Sequence, residues 1–153
     1  MSYMTSMPSK NGSNYTPINR KKYKGKLPIW TRSTWETKFC KWADTNDQVL
    51  SWASEPIDIN YYDPVKMKNR RYFPDFLLKV IDKTNRKEKV WLIEVKPYKE
   101  CIPPNKSKGK SRKTKIYEAK TYTTNKAKWI SAIKYCKLKG WHFKIITEKE
   151  LNI

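Results

Sequence analysis

The sequence predicts an α/β domain whose elements follow the order helix, three or four strands, helix, strand. Two segments have apolar residues at helical spacing, and runs of β-branched and aromatic residues bounded by turn residues lie between and after them. A chain of 153 residues suits one domain and leaves little room for a second. We therefore expect a single folded core.

The first helix is predicted to begin at Ser33 and to end near 44–47. Ser33 is a capping residue, and Glu36 follows it at the position that completes a capping box. The residues that follow form an apolar stripe at helical spacing: Trp35, Phe39, Trp42 and Ala43.

Strands are predicted over 49–53, 57–62, 71–81 and 89–96. The last two are the clearest, and the polar turn between them favours an antiparallel hairpin. Pro97 ends the hairpin, because proline has no amide hydrogen to donate to a neighbouring strand.

A second helix is predicted from Thr124 or Asn125 to Leu138, followed by a strand over 141–147. Gly140 stands where a helix commonly ends in the left-handed conformation. The predicted inward-facing residues of this helix are Ala127, Ile130, Ile133 and Cys136.

The charge of the chain points to a polyanionic partner. There are 34 Lys and Arg against 14 Asp and Glu, a formal net charge of +20. Nucleic acid is the first choice of partner, and an anionic membrane surface is the second. We expect residues 1–26 to form a flexible basic arm, residues 27–153 to form the domain, and residues 99–120 to form a basic loop within it.

Several classes of protein are excluded by composition. No uncharged stretch is long enough to cross a membrane, and the first residues lack the apolar segment of a secretory signal. Cys40, Cys101 and Cys136 are odd in number and widely spaced, which predicts reduced thiols in a cytoplasmic compartment. A single histidine, His142, excludes a histidine-based metal cluster or catalytic triad within one chain.

The predicted hairpin carries the most informative polar residues. Because side chains alternate along a strand, Val90, Leu92, Glu94 and Lys96 share one face. A carboxylate and a lysine on a mostly apolar face are costly unless they meet partners there. On the preceding strand Pro74 interrupts the pairing just before Asp75, and the pairing of the two strands brings Asp75 beside Glu94. Two carboxylates and a lysine form a compact site for a divalent cation with oxygen ligands, such as Mg²⁺.

These residues resemble the PD-(D/E)XK motif of restriction-endonuclease-like nucleases. Pro74-Asp75 is followed, after eighteen residues, by Glu94-Val95-Lys96. The wider pattern, which includes Trp35-Glu36 and Glu55-Pro56, is similar to the catalytic subunit of Tn7-type transposases. The size, basic character and aromatic-rich motif borders resemble most the head-completion nucleases of T4-like phages. The resemblance covers roughly residues 33–147.

The resemblance implies a restriction-endonuclease-like core, a mixed central sheet flanked by helices in the order α-β-β-β-α-β. It implies that Asp75 and Glu94 bind Mg²⁺, which Mn²⁺ can replace, with the backbone carbonyl of Val95 as a further ligand. Lys96 would lie beside the nucleophilic water. Glu36 would hold a second metal ion, a metal-bound water or the geometry of the first site.

We therefore expect a Mg²⁺-dependent endonuclease that hydrolyses double-stranded DNA with little sequence specificity. By analogy with the phage family, it acts on genome ends during head completion and packaging, in the host cytoplasm or on the virion, with head or portal proteins as partners. The candidate DNA-binding residues are basic: Arg20, Lys21, Lys22, Lys24, Lys26, Lys106, Lys108, Lys110, Arg112, Lys113, Lys115 and Lys126.

Alternatives stay open for both the residues and the function. Glu36 has a purely structural role available as a helix cap, Asp75 can form a surface ion pair, and Glu94 can pair with Lys96 on an exposed face. One alternative function is a non-catalytic DNA-binding head or neck protein. Another is a nuclease of the same fold that acts on transposon ends, branched DNA, mismatches or RNA. The number of metal ions and the oligomeric state stay open as well.

Overall fold

The computed structural model describes residues 12–105 and 109–152. The helices in this part of the chain are α1 (Thr34–Thr45), α2 (Arg112–Lys139) and α3 (Glu148–Leu151). The strands are β1 (Ser13–Tyr15), β2 (Ile29–Thr31), β3 (Val49–Ser54), β4 (Ile59–Asp63), β5 (Lys68–Tyr72), β6 (Phe76–Ile81), β7 (Glu88–Val95) and β8 (His142–Ile146). Short 3-10 turns lie at Arg20–Lys22 and Tyr98–Glu100.

A mixed four-stranded sheet in the order β3-β6-β7-β8 forms the centre of the fold. β6 pairs antiparallel with both β3 and β7, and β8 runs parallel to β7. Parallel neighbours need a long crossover connection, which α2 supplies between β7 and β8. Because α1 precedes β3, the mixed sheet and the core order α-β-β-β-α-β are confirmed, with the β4–β5 hairpin inserted between β3 and β6.

Apolar side chains pack on both faces of this sheet. Alternation along β7 places Ile93 in a cluster with Trp35 and Phe39 of α1, and Leu92 in a second cluster with Trp129 of α2. Glu94 comes two residues after Leu92, so its side chain lies on the face that α2 covers.

The predicted long strand over 71–81 is two strands. β5 pairs with β4 in a separate hairpin, in which Ile59 stands opposite Tyr72, whereas β6 belongs to the central sheet. The interruption at Pro74, which has no amide hydrogen, is as predicted, but the prediction of a single strand is wrong because the residues before and after it belong to different sheets. The break leaves Asp75 immediately before the first residue of β6.

Helix α1 begins where the sequence predicts. The Ser33 hydroxyl accepts a hydrogen bond from the Glu36 amide at 3.2 Å, and the Glu36 carboxylate accepts one from the Ser33 amide at 3.1 Å. Trp35, Phe39 and Ala43 are buried, as predicted. Trp42 is 45% exposed, so its predicted burial is wrong; its side chain lines an open groove beside the sheet.

Helix α2 begins twelve or thirteen residues earlier than predicted. The Ser111 hydroxyl caps it by accepting a hydrogen bond from the Thr114 amide at 3.1 Å, and Gly140 ends it at φ 74°, as expected. Residues 112–120 of the predicted basic loop are therefore helical. The prediction failed because this segment lacks apolar periodicity, although lysine, arginine and alanine are good helix formers.

The inward face of α2 also differs from the prediction. Trp129 and Cys136 are buried, whereas Ile130 and Ile133 are 49% and 54% exposed. The large indole of Trp129 sets the phase of the helix, because it fills the core between α2 and the hairpin.

The described part of the predicted N-terminal arm is packed on the domain. β1 pairs with β2, and Tyr15 and Tyr23 are buried in the same core cluster as α1. The carboxylate of Asp44 anchors this segment: the Tyr15 hydroxyl donates to it at 2.7 Å, and the amides of Ile18 and Asn19 donate at 2.6 and 3.0 Å. The prediction of a flexible arm is therefore wrong for residues 13–26, and residues 1–11 lie outside the described ranges.

Cys40, Cys101 and Cys136 all carry free thiols, as the sequence predicts. Cys40 and Cys136 are buried in the two cores, on opposite faces of the sheet. Among residues 12–105 and 109–152, no helix has the length and apolar character needed to cross a membrane.

Candidate active site

The pairing of β6 and β7 brings Asp75 and Glu94 together. Phe76 stands opposite Ile93 in the antiparallel register, so the residue before Phe76 and the residue after Ile93 face each other. Both carboxylates are almost buried, with 9% and 6% of the residue exposed. The strand-pairing expectation from the sequence is therefore correct in its geometry.

Each of the two carboxylates is held by one strong donor. The Val95 amide donates to Asp75 Oδ2 at 2.7 Å, and the Tyr72 hydroxyl donates to Glu94 Oε1 at 2.8 Å. The backbone carbonyl of Asp75 also accepts from the Glu55 amide at 2.8 Å, which ties the approach to β6 to the end of β3. These hydrogen bonds hold the Asp75 and Glu94 side chains next to each other, where β6 begins and β7 ends.

Burial destabilises the charge of both carboxyl groups. Burial, followed by the charges of Glu94 and Glu36, raises the pKa of Asp75 well above its usual range. Burial also raises the pKa of Glu94, and the opposing effects of Lys96 and the Tyr72 hydroxyl do not cancel it. A pair of this kind favours a proton or a metal cation near its oxygens.

Lys96 supplies one positive charge beside this pair. Its Nζ lies 3.7 Å from Glu94 Oε2, and only a quarter of its side chain is exposed. Burial alone would lower the pKa of Lys96, but the charges of Glu94 and Asp75 outweigh burial and raise it. Lys96 therefore stays protonated at neutral pH, next to the carboxylates.

Glu36 caps the first helix and also lies beside the acidic pair. Its carboxylate caps α1 by accepting from the amides of Arg32 and Ser33, and the same side chain lines the cleft that contains Asp75. Its charge contributes to the raised pKa of Asp75. Capping therefore holds Glu36 at the edge of the acidic pair.

The cleft around these residues measures about 380 Å³ and is open to solvent. Tyr72, at the end of β5, and Lys128, on α2, are among the lining residues that were not predicted from the sequence. The signal for Tyr72 was its place three residues before Asp75, but the single strand predicted over 71–81 did not show that Tyr72 ends a separate hairpin. No sequence signal separates Lys128 from the other lysines of α2.

The predicted DNA-binding residues that fall within 12–105 and 109–152 do not line this cleft. Lys22 donates to the Asn46 carbonyl at 2.7 Å, and Lys24, through its amide, bonds to the Trp52 carbonyl beside edge strand β3. Lys110 is paired with Glu118 at 2.9 Å. The other predicted DNA-binding residues within the described ranges lie on or near the 3-10 turn at Arg20–Lys22, or on α2: Arg20, Lys21, Lys26, Arg112, Lys113, Lys115 and Lys126. Lys106 and Lys108 lie outside the described residues.

The acidic pair is a suitable partial ligand set for a hard divalent cation. Mg²⁺ prefers oxygen ligands, keeps several water molecules and commonly uses only one or two carboxylates. Among the residues that the structure describes, no three His, Cys, Asp or Glu side chains come together in a way that could hold a metal ion. Asp75 and Glu94 would therefore supply two ligands, and a backbone carbonyl, water and a substrate phosphate would have to supply the others.

Two buried carboxylates and a lysine at the end of paired strands, in a mixed sheet between helices, define the class: a restriction-endonuclease-like nuclease. Residues 46–148 match the family described as TnsA-like endonuclease N terminal, and the chain belongs to this family. The chain is also 35% identical over 142 residues to the head completion nuclease of Enterobacteria phage T4, an alignment that covers 90% of this chain and 91% of that protein. The resemblance inferred from the motifs is thereby confirmed.

Proposed function

We propose that this protein is a Mg²⁺-dependent endonuclease that hydrolyses phosphodiester bonds of double-stranded DNA. The observation that carries the proposal is the buried pair Asp75–Glu94 with Lys96 beside it. Family membership supports nuclease activity, and the acidic pair supports the choice of a divalent cation as cofactor.

Asp75 and Glu94 are the proposed ligands of Mg²⁺, together with the backbone carbonyl of Val95. When bound, Mg²⁺ supplies stabilisation of the negative charge that develops on the phosphoryl oxygens, and Mn²⁺ can take its place. Glu36 orients the site from the first turn of α1, either directly at a second ion or through water. The raised pKa values of the two carboxyls favour this assignment, because a cation offsets the cost of burying their negative charge.

Lys96 positions the attacking water in this proposal. Its ammonium donates hydrogen bonds to the water and stabilises charge in the transition state. Water attacks the phosphorus in line with the P–O3′ bond. That bond breaks, the 3′-oxygen leaves and takes up a proton, and the products carry a 5′-phosphate and a 3′-hydroxyl. Glu94 holds Lys96 in place through the contact at 3.7 Å.

The substrate follows from the charge of the chain. A net charge of +20 favours binding to the DNA backbone, with an affinity that falls steeply as salt rises. We assign this binding to the basic residues of 20–26 and 106–115 and to Lys126. Contacts of lysine with phosphate position DNA without specifying its sequence, so cleavage has little sequence preference.

The biological setting is proposed from the relative. The printed name of the phage T4 protein is head completion nuclease, and the alignment spans nearly all of both chains. We propose that the present protein acts on phage genome ends during head completion, in the host cytoplasm or on the virion. Head or portal proteins are its proposed partners.

The test is cleavage of supercoiled plasmid with Mg²⁺ or EDTA, by the wild type, Asp75→Asn and Asp47→Asn. Asparagine at 75 can still accept the Val95 hydrogen bond but loses the charge. Asp47 is exposed, so Asp47→Asn controls for the loss of one negative charge. We expect Mg²⁺-dependent nicking or linearisation by the wild type and by Asp47→Asn, and a rate lower by at least about a hundredfold in Asp75→Asn.

Equal DNA affinity of the three proteins, measured separately, shows that the loss is catalytic. If all three bind DNA and none cleaves it with Mg²⁺ or Mn²⁺, on plasmid, branched DNA or RNA, the endonuclease proposal is wrong and the chain is a DNA-binding protein. Cleavage by Asp75→Asn at the wild-type rate would exclude this pair as the active site.

A further inference from the structure

Four cationic side chains line the cleft that contains the acidic pair: Arg32, Arg71, Lys96 and Lys128. Three of them have carboxylate partners: Arg32 with Glu55 at 2.5 Å, Arg71 with Asp58 at 2.7 Å and Lys96 with Glu94 at 3.7 Å. Lys128 forms no ion pair and no side-chain hydrogen bond with any residue in the described ranges. Lys128 is therefore the cation of this cleft that is left without a direct carboxylate contact in the described part of the chain, although the more distant charges of Glu94 and Asp63 favour its charged form.

The surroundings of Lys128 make this lack of a partner costly. The side chain is half-buried on α2, and its Nζ lies 5.8 Å from the centre of the Tyr72 ring. A cation over an aromatic ring gains some stabilisation. Burial, followed by the charge of Lys96, lowers the pKa of Lys128, and the charges of Glu94 and Asp63 offset this only in part. An anion that enters the cleft would favour the charged form of Lys128.

We propose that Lys128 binds a phosphodiester oxygen of the DNA strand that occupies this cleft. The inference rests on the proposed function, which brings a phosphate to Asp75 and Glu94. Tyr72 links the two sides of the cleft, since its hydroxyl holds Glu94 and its ring lies against Lys128. Lys128 thus faces the same space as the acidic pair, from the helix on the other side.

The chemistry of the side chain sets what this contact does. An ammonium is a compact point charge without the fork geometry that reads base edges, so Lys128 contributes equally for every sequence. The contact neutralises one phosphate beside two carboxylates, which otherwise repel DNA. Lys128 therefore differs from Lys126, two residues away, whose side chain is exposed and does not line the cleft.

The test compares Lys128→Gln with Lys134→Gln in the full chain. Lys134 is exposed on the same helix, so both variants lose one positive charge from α2. Binding to a fluorescent duplex of mixed sequence is measured in EDTA, between about 50 and 200 mM salt. We expect Lys128→Gln to make the slope of log affinity against log salt shallower by about 0.9, the value for one phosphate contact. We expect Lys134→Gln to keep the wild-type slope and Lys128→Arg to restore it.

The outcomes separate this inference from the proposed function, because binding in EDTA does not require cleavage. An unchanged slope in a folded Lys128→Gln protein would overturn the contact, and so would equal changes in both glutamine variants. If the slope changes only in Lys128→Gln while the wild type never cleaves DNA, the phosphate contact holds and the nuclease proposal fails. Thermal unfolding of each variant confirms that the fold is intact.

Discussion

Two buried aspartates, Asp63 and Asp75, stand in opposite chemical environments. Asp63, at the end of β4, is fully buried and surrounded by donors: Arg70 at 3.0 Å, the amides of Val65 and Lys66 at 2.9 and 3.3 Å, and the Thr124 hydroxyl at 3.2 Å. Asp75 receives one amide hydrogen bond and faces two other carboxylates.

The pKa values of the two aspartates are shifted in opposite directions because of this difference. Burial alone would raise the pKa of Asp63, but its hydrogen bonds outweigh burial and lower it. At Asp75, burial and the neighbouring carboxylates both raise the pKa. A buried carboxylate whose oxygens are satisfied by donors stabilises the fold. A buried carboxylate that is left facing another one costs stability and is available to bind a cation.

The largest expected effect concerns stability and the Asp63 region. Replacing Asp63 by Asn removes the negative charge that Arg70 and two amides share, and it weakens the polar contact of the hairpin with Thr124 of α2. We expect Asp63→Asn to lower the free energy of unfolding by about 2 to 3 kcal/mol, as for charged hydrogen bonds that are buried. Denaturant unfolding in EDTA measures this change.

The matched variants are Asp58→Asn and Asp75→Asn. Asp58 forms an exposed ion pair with Arg71, so its loss should cost less than about 1 kcal/mol. Asp75→Asn should leave the stability unchanged or raise it, because it removes a repulsive charge. If Asp75→Asn destabilises the protein as much as Asp63→Asn does, the distinction between the two regions is wrong.

The sequence predicted the acidic pair but not its surroundings. Period-two alternation and antiparallel pairing were enough to bring Asp75 beside Glu94, because both residues lie at the ends of strands with clear apolar patterns. Asp63 gave no signal, since its partners come from a turn, from β5 and from a helix far along the chain. Such contacts depend on tertiary packing, which a local pattern does not contain.

The elements show the same division between local and non-local information. The capping box of α1 and the glycine end of α2 are local patterns and were predicted at the right residues. The first turns of α2 and the packing of segment 13–26 were not predicted. Both segments are rich in basic residues and lack the apolar periodicity from which a helix or a buried side chain is predicted. Tyr23 lies among five basic residues in the sequence, yet it is only 2% exposed.

Tyr72 supports the acidic pair through the hydrogen bond that its hydroxyl donates to Glu94. Tyr72→Phe removes the hydroxyl that donates to Glu94 Oε1, but it retains the ring in the core. We expect kcat for plasmid cleavage to fall about tenfold with KM for DNA unchanged, because one hydrogen bond to a charged group is lost. Tyr72 is thus a positioning residue that acts through Glu94.

Tyr61→Phe is the control for this variant. Tyr61 lies on the neighbouring strand of the same hairpin, in the same core cluster, and is not among the residues that line the cleft. We expect the Tyr61→Phe protein to cleave plasmid at the wild-type rate. A fall in kcat for both variants would show that the hairpin tolerates no loss of a hydroxyl, and it would remove the support for a specific contact with Glu94.

The smallest expected effect concerns how the free energy of unfolding depends on pH in variants of the two aspartates. The lowered pKa of Asp63 means that its stabilisation is fully present above the unfolded value of about 4 and is lost as pH falls through the folded value. Asp75 has a raised pKa, so it already carries its proton before this acid range is reached. We expect Asp63→Asn to flatten the loss of stability below about pH 4, and Asp75→Asn to leave that loss as steep as in the wild type. Denaturant unfolding at several pH values in EDTA measures both slopes, and equal flattening in the two variants would mean that their environments titrate alike.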